Sequence, residues 1–329
     1  MGKRSSFKIP ASVDPPRLGV SSRLFRGSPA EVATQIAGFG LESVQILPEF
    51  PDYPFESAAD VTPTRARAMA RPFRDAELLV AAVTAAVNFV DPDRARRRRQ
   101  IERLDAVVDC CGDFGADSVV VDSGTLSANR PWEQHPENHK SETLREFFRA
   151  IRPTVRRAER AGVRLLIEGH LHHVVSSPAV ALKAREALGP ALGFVMTPAN
   201  FMTRTMSAST RRPLRDLFTA LAPHCPMAQA KDVRYVGAEL TTPRAGSGVL
   251  DYREYLTLLG EWLPGAPLIL DQVTPADLRE TIEFLDDFYE TFPPPGAPKK
   301  KPKAKPQPAP AREPVRSRPV KKGRRAKRG

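Results

Sequence analysis

The sequence has few of the residues that mark secreted, membrane or zinc-finger proteins. Its three cysteines, Cys110, Cys111 and Cys225, cannot build a disulfide framework and show no C-x-x-C or zinc-knuckle spacing. Residues 1–16 contain no apolar run of the kind that a secretory signal requires. The longest apolar-rich stretch, residues 78–90, is too short to cross a bilayer. We therefore expect a cytoplasmic protein with no membrane insertion.

Several catalytic and nucleotide-binding motifs are also missing. The chain has no G-x-S-x-G elbow, no H-E-x-x-H pair and no P-loop. No G-x-G-x-x-G follows the first apolar run, where residues 19–27 read GVSSRLFRG instead. These absences argue against a serine hydrolase, a zinc protease, a P-loop NTPase and a dinucleotide-binding fold.

Positive charge is concentrated at one end of the chain. The net charge is +12, but residues 293–329 contain 14 Lys and Arg and one acid, so the first 292 residues are nearly neutral at −1. The same segment has ten prolines and almost nothing to bury, which predicts a disordered basic tail. Either the tail only keeps the protein soluble, or it makes weak, nonspecific contact with an anionic polymer.

Between this tail and an N-terminal extension (residues 1–16), short apolar runs alternate with segments of helical periodicity. The apolar runs are residues 17–22, 43–48, 78–88, 118–124, 163–169, 192–198, 226–233 and 267–273. Strands that alternate with helices predict parallel βα units. Eight such units predict an α/β fold, a closed (β/α)₈ TIM barrel over residues 17–292. An open doubly wound sheet is the alternative.

Polar residues stand at the ends of these predicted strands, where barrel active sites lie. They are Asn88, Asp122, Glu168, His170, Thr197, Asn200, Gln229, Lys231, Asp232, Asp271 and Gln272. If the barrel closes, these side chains should converge on one pocket.

A longer stretch then suggests a family. Residues 162–201 (GVRLLIEGHLHHVVSSPAVALKAREALGPALGFVMTPANF) resemble the sugar phosphate isomerase/epimerase family, the xylose-isomerase-like TIM barrels, in which a strand ends in Glu-x-His. Residues 86–93, 135–138, 229–232 and 245–259 match further family segments in the same order. The resemblance implies a carbohydrate-like substrate, a divalent metal, and proton transfer through an enediolate.

The resemblance also implies roles for particular residues. Glu168 and Asp271 would be the catalytic proton-transfer pair, and Glu168, Gln229 and Asp271 would hold the metal. The carboxylates of Glu168 and Asp271 should then lie within about 5 Å of a shared point, the reach of two oxygen ligands on one cation. Three positions differ from the family, because Thr197 replaces an aspartate, Gln229 a histidine and Asp271 the usual glutamate. Such a site would hold Mn²⁺ or Mg²⁺ loosely, and zinc is disfavoured without an inward histidine.

Four further residues are candidates for substrate binding: Asn88, His170, Asn200 and Lys231. Three of them also have a structural interpretation. Asn88 and Asn200 are also typical turn-capping residues, and Lys231 could form an ion pair with its neighbour Asp232. The adjacent histidines, His172 and His173, are expected in a surface loop.

Three functions stay open from the sequence. The first is an isomerase or epimerase, and the second is a catalytically degenerate barrel that binds a polyol-like ligand without metal-dependent turnover. The third is a DNA-repair endonuclease, because a branch with that activity shares the fold but needs several metals. Fold does not decide among them. The oligomeric state is open as well, with a homo-oligomer as one alternative.

Overall fold

The computed structural model describes residues 15–127, 130, 132–237 and 239–291. The basic tail predicted for residues 293–329 lies outside the described residues, as does all but the end of the predicted N-terminal extension. None of the described helices has the length and apolar character needed to span a membrane.

Eight parallel strands form a closed barrel. They are β1 (Arg17–Ser21), β2 (Ser43–Ile46), β3 (Leu79–Thr84), β4 (Ser118–Asp122), β5 (Arg164–Glu168), β6 (Leu192–Met196), β7 (Met227–Ala230) and β8 (Pro267–Leu270). Each strand pairs with the next along the chain, and β8 pairs with β1 to close the ring. The predicted (β/α)₈ barrel is confirmed, and the open-sheet alternative is wrong.

In the described part of the chain, eight α-helices lie between and after the strands. They are α1 (Pro29–Gly38), α2 (Pro63–Asp75), α3 (Arg94–Asp109), α4 (Ser141–Ala161), α5 (Pro178–Leu188), α6 (Arg211–Leu221), α7 (Tyr252–Trp262) and α8 (Leu278–Thr291). In α4, Phe147, Ile151, Val155 and Ala158 are buried at helical spacing, which packs one face against the barrel. Gly162 then ends the helix in a left-handed conformation (φ 68°).

Inside the barrel, an apolar layer lies directly below a polar one. The lower layer, here called the apolar floor, consists of Ala82, Val120, Leu166, Val195, Met227 and Ile269. Because side chains alternate along a strand, the residue two positions later faces the same way. Those residues form the polar ring: Thr84, Asp122, Glu168, Thr197, Gln229 and Asp271. Two residues along each of these strands therefore separate the apolar core of the barrel from its candidate site.

Candidate functional site

Two carboxylates from distant parts of the chain meet at one lysine. The ammonium Nζ of Lys231 donates to Oε1 of Glu168 at 3.0 Å and to Oδ2 of Asp271 at 2.7 Å. The Lys231 side chain is 5% exposed, against 16% for Glu168 and 33% for Asp271. The predicted convergence of Glu168 and Asp271 on a shared point is confirmed, and the atom at that point is Nζ of Lys231.

Glu168 is held by two amides as well as by the lysine. Its Oε1 also accepts from Nδ2 of Asn200 at 3.0 Å, and its Oε2 accepts from Nε2 of Gln229 at 2.9 Å. Because a carboxylate can only accept, Gln229 must turn its NH₂ group towards Glu168. Its amide oxygen then accepts from the hydroxyl of Thr197 at 3.1 Å.

Lys231 and Asp271 each favour the charged form of the other. Burial lowers the pKa of Lys231, but the charges of Glu168 and Asp271 raise it by more, so its pKa lies well above the usual value. Burial raises the pKa of Asp271, but the Lys231 ammonium and the backbone N–H of Gln272 lower it by more. At neutral pH the cluster is therefore an ammonium beside an ionised Asp271.

A divalent metal does not fit this arrangement. The Lys231 ammonium lies between the two predicted carboxylate ligands, and the oxygen of Gln229 faces Thr197 instead. Among the described residues, no group of three or more His, Cys, Asp or Glu could hold a metal ion. The predicted ligand set of Glu168, Gln229 and Asp271 therefore does not form a cation site while Lys231 is in place.

The ion pair considered between Lys231 and Asp232 is wrong. Neighbouring residues of an extended segment point to opposite sides, so Lys231 faces the ring and Asp232 faces the loops outside it. Oδ1 of Asp232 accepts from the backbone N–H groups of Val233 at 2.8 Å and Leu250 at 2.9 Å. Asp232 thus fixes the loop that follows β7.

Asp122 is a site residue to which the sequence assigned no role. It ends β4 directly opposite Glu168 in the strand register, and its side chain is 37% exposed at the barrel mouth. Burial against the barrel wall, together with the charge of Glu168, raises the pKa of Asp122 to about 7. A carboxyl group with this pKa can donate or accept a proton near neutral pH. Its spacing of two residues from Val120 is the signal that places it in the ring.

The raised pKa of Asp122 makes stability depend on pH. Because the folded-state pKa exceeds the ordinary value of 3.8, the proton on Asp122 stabilises the folded form, and this contribution is lost as pH rises through about 7. Asp122→Asn should therefore raise the melting temperature relative to wild type more at pH 8 than at pH 5. Thermal unfolding at both pH values measures this. Asp52→Asn, at an exposed loop position, is the control, and an equal gap at both pH values would contradict the prediction.

The histidines after β5 form an aromatic cluster with Trp132. The Trp132 ring stacks on His173 at 5.0 Å and meets His170 edge-on at 5.3 Å. His173 is only 2% exposed, so its expected surface position is wrong. Burial, and then the neighbouring His173 and His172, lower the pKa of His170 to about 2. His170 is therefore neutral, and its contact with a substrate stays a prediction.

The two asparagines differ in what their amides do. Nδ2 of Asn88 donates to the backbone oxygen of Thr125 at 2.7 Å, and its Oδ1 accepts from the N–H groups of Thr125 and Val90. This favours the capping alternative for Asn88 over substrate contact. Asn200 instead joins the ring, because its amide donates to both Glu168 and the backbone oxygen of Gly169.

A pocket opens beside Asp271. It has a volume of about 340 Å³ and is lined in part by Ser21, Arg23, Gln272 and Thr274. Gln272 has a left-handed backbone (φ 57°) and donates its N–H to Oδ1 of Asp271 at 2.8 Å. The volume is within the range of small-molecule sites. Because Asp271 itself lines the pocket, a ligand there would contact the more exposed of the two carboxylates.

A closed (β/α)₈ barrel with acidic and amide side chains at the carboxyl ends of its strands has the architecture of the barrel enzymes. The chain belongs to the xylose isomerase-like TIM barrel family, whose model matches residues 33–288. No curated protein sequence matches the chain.

Solved structures share the fold at low sequence identity. A D-tagatose 3-epimerase-like protein is 18% identical with a TM-score of 0.65, covering 84% of this chain and 97% of its own. The IOLI protein with a bound zinc atom is 17% identical with a TM-score of 0.61, covering 84% and 99%. A xylose isomerase-like TIM barrel protein from Mycobacterium smegmatis in complex with magnesium is 13% identical with a TM-score of 0.59, covering 80% and 88%. Metals therefore occur in some structures of this fold.

Proposed function

We propose that this chain is an isomerase or epimerase of a small hydroxylated carbonyl compound, of the carbohydrate type. The observation that carries the proposal is the meeting of Glu168 and Asp271 at the carboxyl end of the barrel, within 3.0 Å of one ammonium nitrogen. The family and its epimerase-like structural relative support the same reaction class.

The proposed reaction moves a proton between carbons or between faces of one carbon. A carboxylate removes the proton from the carbon beside the carbonyl, and the electron pair forms an enediolate. For isomerisation, an acid then protonates the former carbonyl carbon, and the proton of the neighbouring hydroxyl moves to the former carbonyl oxygen, so that the carbonyl group changes position. For epimerisation, the acid returns a proton to the opposite face of the same carbon. Asp271 suits the base, because it is ionised and lines the pocket. Glu168 is its partner, and Asp122 beside Glu168 can exchange the proton near neutral pH.

Exchange of substrate hydrogens with solvent tests this function directly. The protein is first screened by thermal shift against aldoses, ketoses, sugar phosphates and keto acids, because ligand binding raises the melting temperature even without turnover. Each hit is then incubated with the protein in D₂O, and loss of the C–H signal beside the carbonyl is followed by proton NMR. We expect exchange with wild type and a decrease of at least about 100-fold with Glu168→Gln, the scale of a lost acid–base group.

The matched control is Glu186→Gln, the same substitution at an exposed position on α5. It should exchange hydrogens at the wild-type rate. Equal exchange rates for Glu168→Gln and wild type would remove Glu168 from the chemistry and contradict the proposal.

One observation favours a second function, binding of a polyol-like ligand without turnover. Both oxygens of Glu168 already accept hydrogen bonds from Asn200, Gln229 and Lys231, so a substrate C–H group would compete with these donors for the carboxylate oxygens. A ligand that raises the melting temperature while its C–H signals stay unchanged in D₂O would favour this function. The endonuclease alternative gains no support, since the described residues provide no cluster for several metals.

A further inference from the structure

We infer that the ammonium group of Lys231 is the built-in cation of the polar ring, so that this protein works without a divalent metal at Glu168 and Asp271. Part of this inference, the exclusion of metal, depends on geometry alone. The other part, contact of Lys231 with the reacting molecule, rests on the proposed function.

The position of Nζ is the first argument. An ion that binds both carboxylates must lie between Glu168 and Asp271, and Nζ lies there, at 3.0 and 2.7 Å from their oxygens. Divalent metals need oxygen ligands at about 2.0–2.6 Å, so a metal could enter only if the ammonium left. The two cations therefore compete for one point.

The second argument is that Lys231 is fixed in the fold. Its backbone pairs with Arg244 in an isolated antiparallel bridge, and its carbonyl oxygen accepts from the hydroxyl of Tyr252 at 3.0 Å. Tyr252 is itself buried at the start of α7. With its backbone held and its side chain 5% exposed, the lysine keeps its ammonium group at the ring.

The third argument concerns what the ammonium can still do. An ammonium group has three N–H donors, and the described residues supply acceptors for two of them, Glu168 and Asp271. The third donor is free to bind an oxygen of a ligand. A fixed positive donor stabilises the negative oxygen that develops on an enediolate. Lys231 would therefore contact the carbonyl oxygen of the substrate directly.

Metal uptake with and without the lysine tests the inference. Isothermal titration with Mn²⁺ at pH 7.5 should show no uptake by wild type up to about 1 mM, the weak limit for protein carboxylate sites. Lys231→Met keeps an unbranched side chain but removes the charge, and it should bind one Mn²⁺ at least about tenfold more tightly than wild type. Mn²⁺ should also raise the melting temperature of this variant and not that of wild type.

Further variants identify the ligands and guard against misfolding. Adding Glu168→Gln to Lys231→Met should abolish the gain in Mn²⁺ affinity. Lys183→Met, at an exposed position on α5, should show no gain in Mn²⁺ affinity. Lys231→Ala is the second variant if Lys231→Met does not fold. Stoichiometric uptake by wild type at micromolar Mn²⁺ would overturn the inference whether or not the variants fold, as would a folded Lys231 variant that gains no binding.

The two proposals fail separately. Absence of hydrogen exchange in D₂O, together with the expected metal results, would remove the enzyme function and leave Lys231 as the cation of a binding site. Exchange that persists in wild type after chelation supports both.

Discussion

Replacing Lys231 with methionine is expected to lower the free energy of unfolding by about 3 kcal/mol at pH 7. The substitution leaves Glu168 and Asp271 facing each other inside the barrel mouth without a counter-charge. Breaking one side of a buried ion pair costs about 3–5 kcal/mol, and the low end applies here because Asp271 is one-third exposed. Urea denaturation followed by circular dichroism measures the loss.

Measuring the loss of stability at lower pH tests whether uncompensated charge causes it. The loss should shrink in acid, because protonation of carboxyl groups removes the uncompensated negative charge. Lys183→Met removes an equal charge from an exposed position on α5 and should cost less than about 0.5 kcal/mol. A loss for Lys231→Met that is no larger than that of Lys183→Met would show that the buried pair is not held by this lysine.

Gly124→Ala is expected to destabilise the protein by about 3 kcal/mol, through backbone strain and lost hydrogen bonds. Gly124 has a left-handed backbone (φ 89°), and an added Cβ would overlap Oδ1 of Asn88 and lie 2.9 Å from the backbone nitrogen of Phe89. Asn88 would have to leave the bonds that join it to Thr125. Urea denaturation measures the change.

Gly162→Ala separates the two causes of that loss. Gly162 also has a positive φ (68°), but an added Cβ there meets no atom within 4 Å. This control should therefore cost only about 1–2 kcal/mol, the intrinsic penalty of the left-handed conformation. Equal losses for the two variants would mean that Asn88 moves aside freely and does not hold the loops at the mouth.

The fold could be predicted because its signal is repeated eight times. Runs such as SVVVD and RLLIE are rich in β-branched and aliphatic residues and are separated by segments of helical periodicity. The third to eighth runs also have polar residues at or near their ends, and closure of the ring brings those ends together. Convergence of those side chains on one pocket followed from this argument, and the family resemblance singled out Glu168 and Asp271 among them.

The partners of those carboxylates could not be predicted with the same certainty. Whether Lys231 or Asp232 faces the ring depends on which residues of this strand point inward. The two-residue spacing from Met227 to Gln229 to Lys231 is the sequence signal that Lys231 points inward. The orientation of the Gln229 amide depends on its neighbours, the carboxylate of Glu168 and the hydroxyl of Thr197. A sequence does not show which groups lie beside an amide. His173 is buried because Trp132 covers it from a segment about 40 residues away, and local sequence does not reveal such a contact.

The apolar floor beneath the polar ring bears on how a ligand would enter and leave the barrel. Val120, Leu166 and Val195, with the other members of the floor, are at most 2% exposed. This apolar layer lies below the ring, so under the proposed function a ligand would enter and leave on the side of the strands' carboxyl ends. A product would then have to leave this opening before the next substrate could bind.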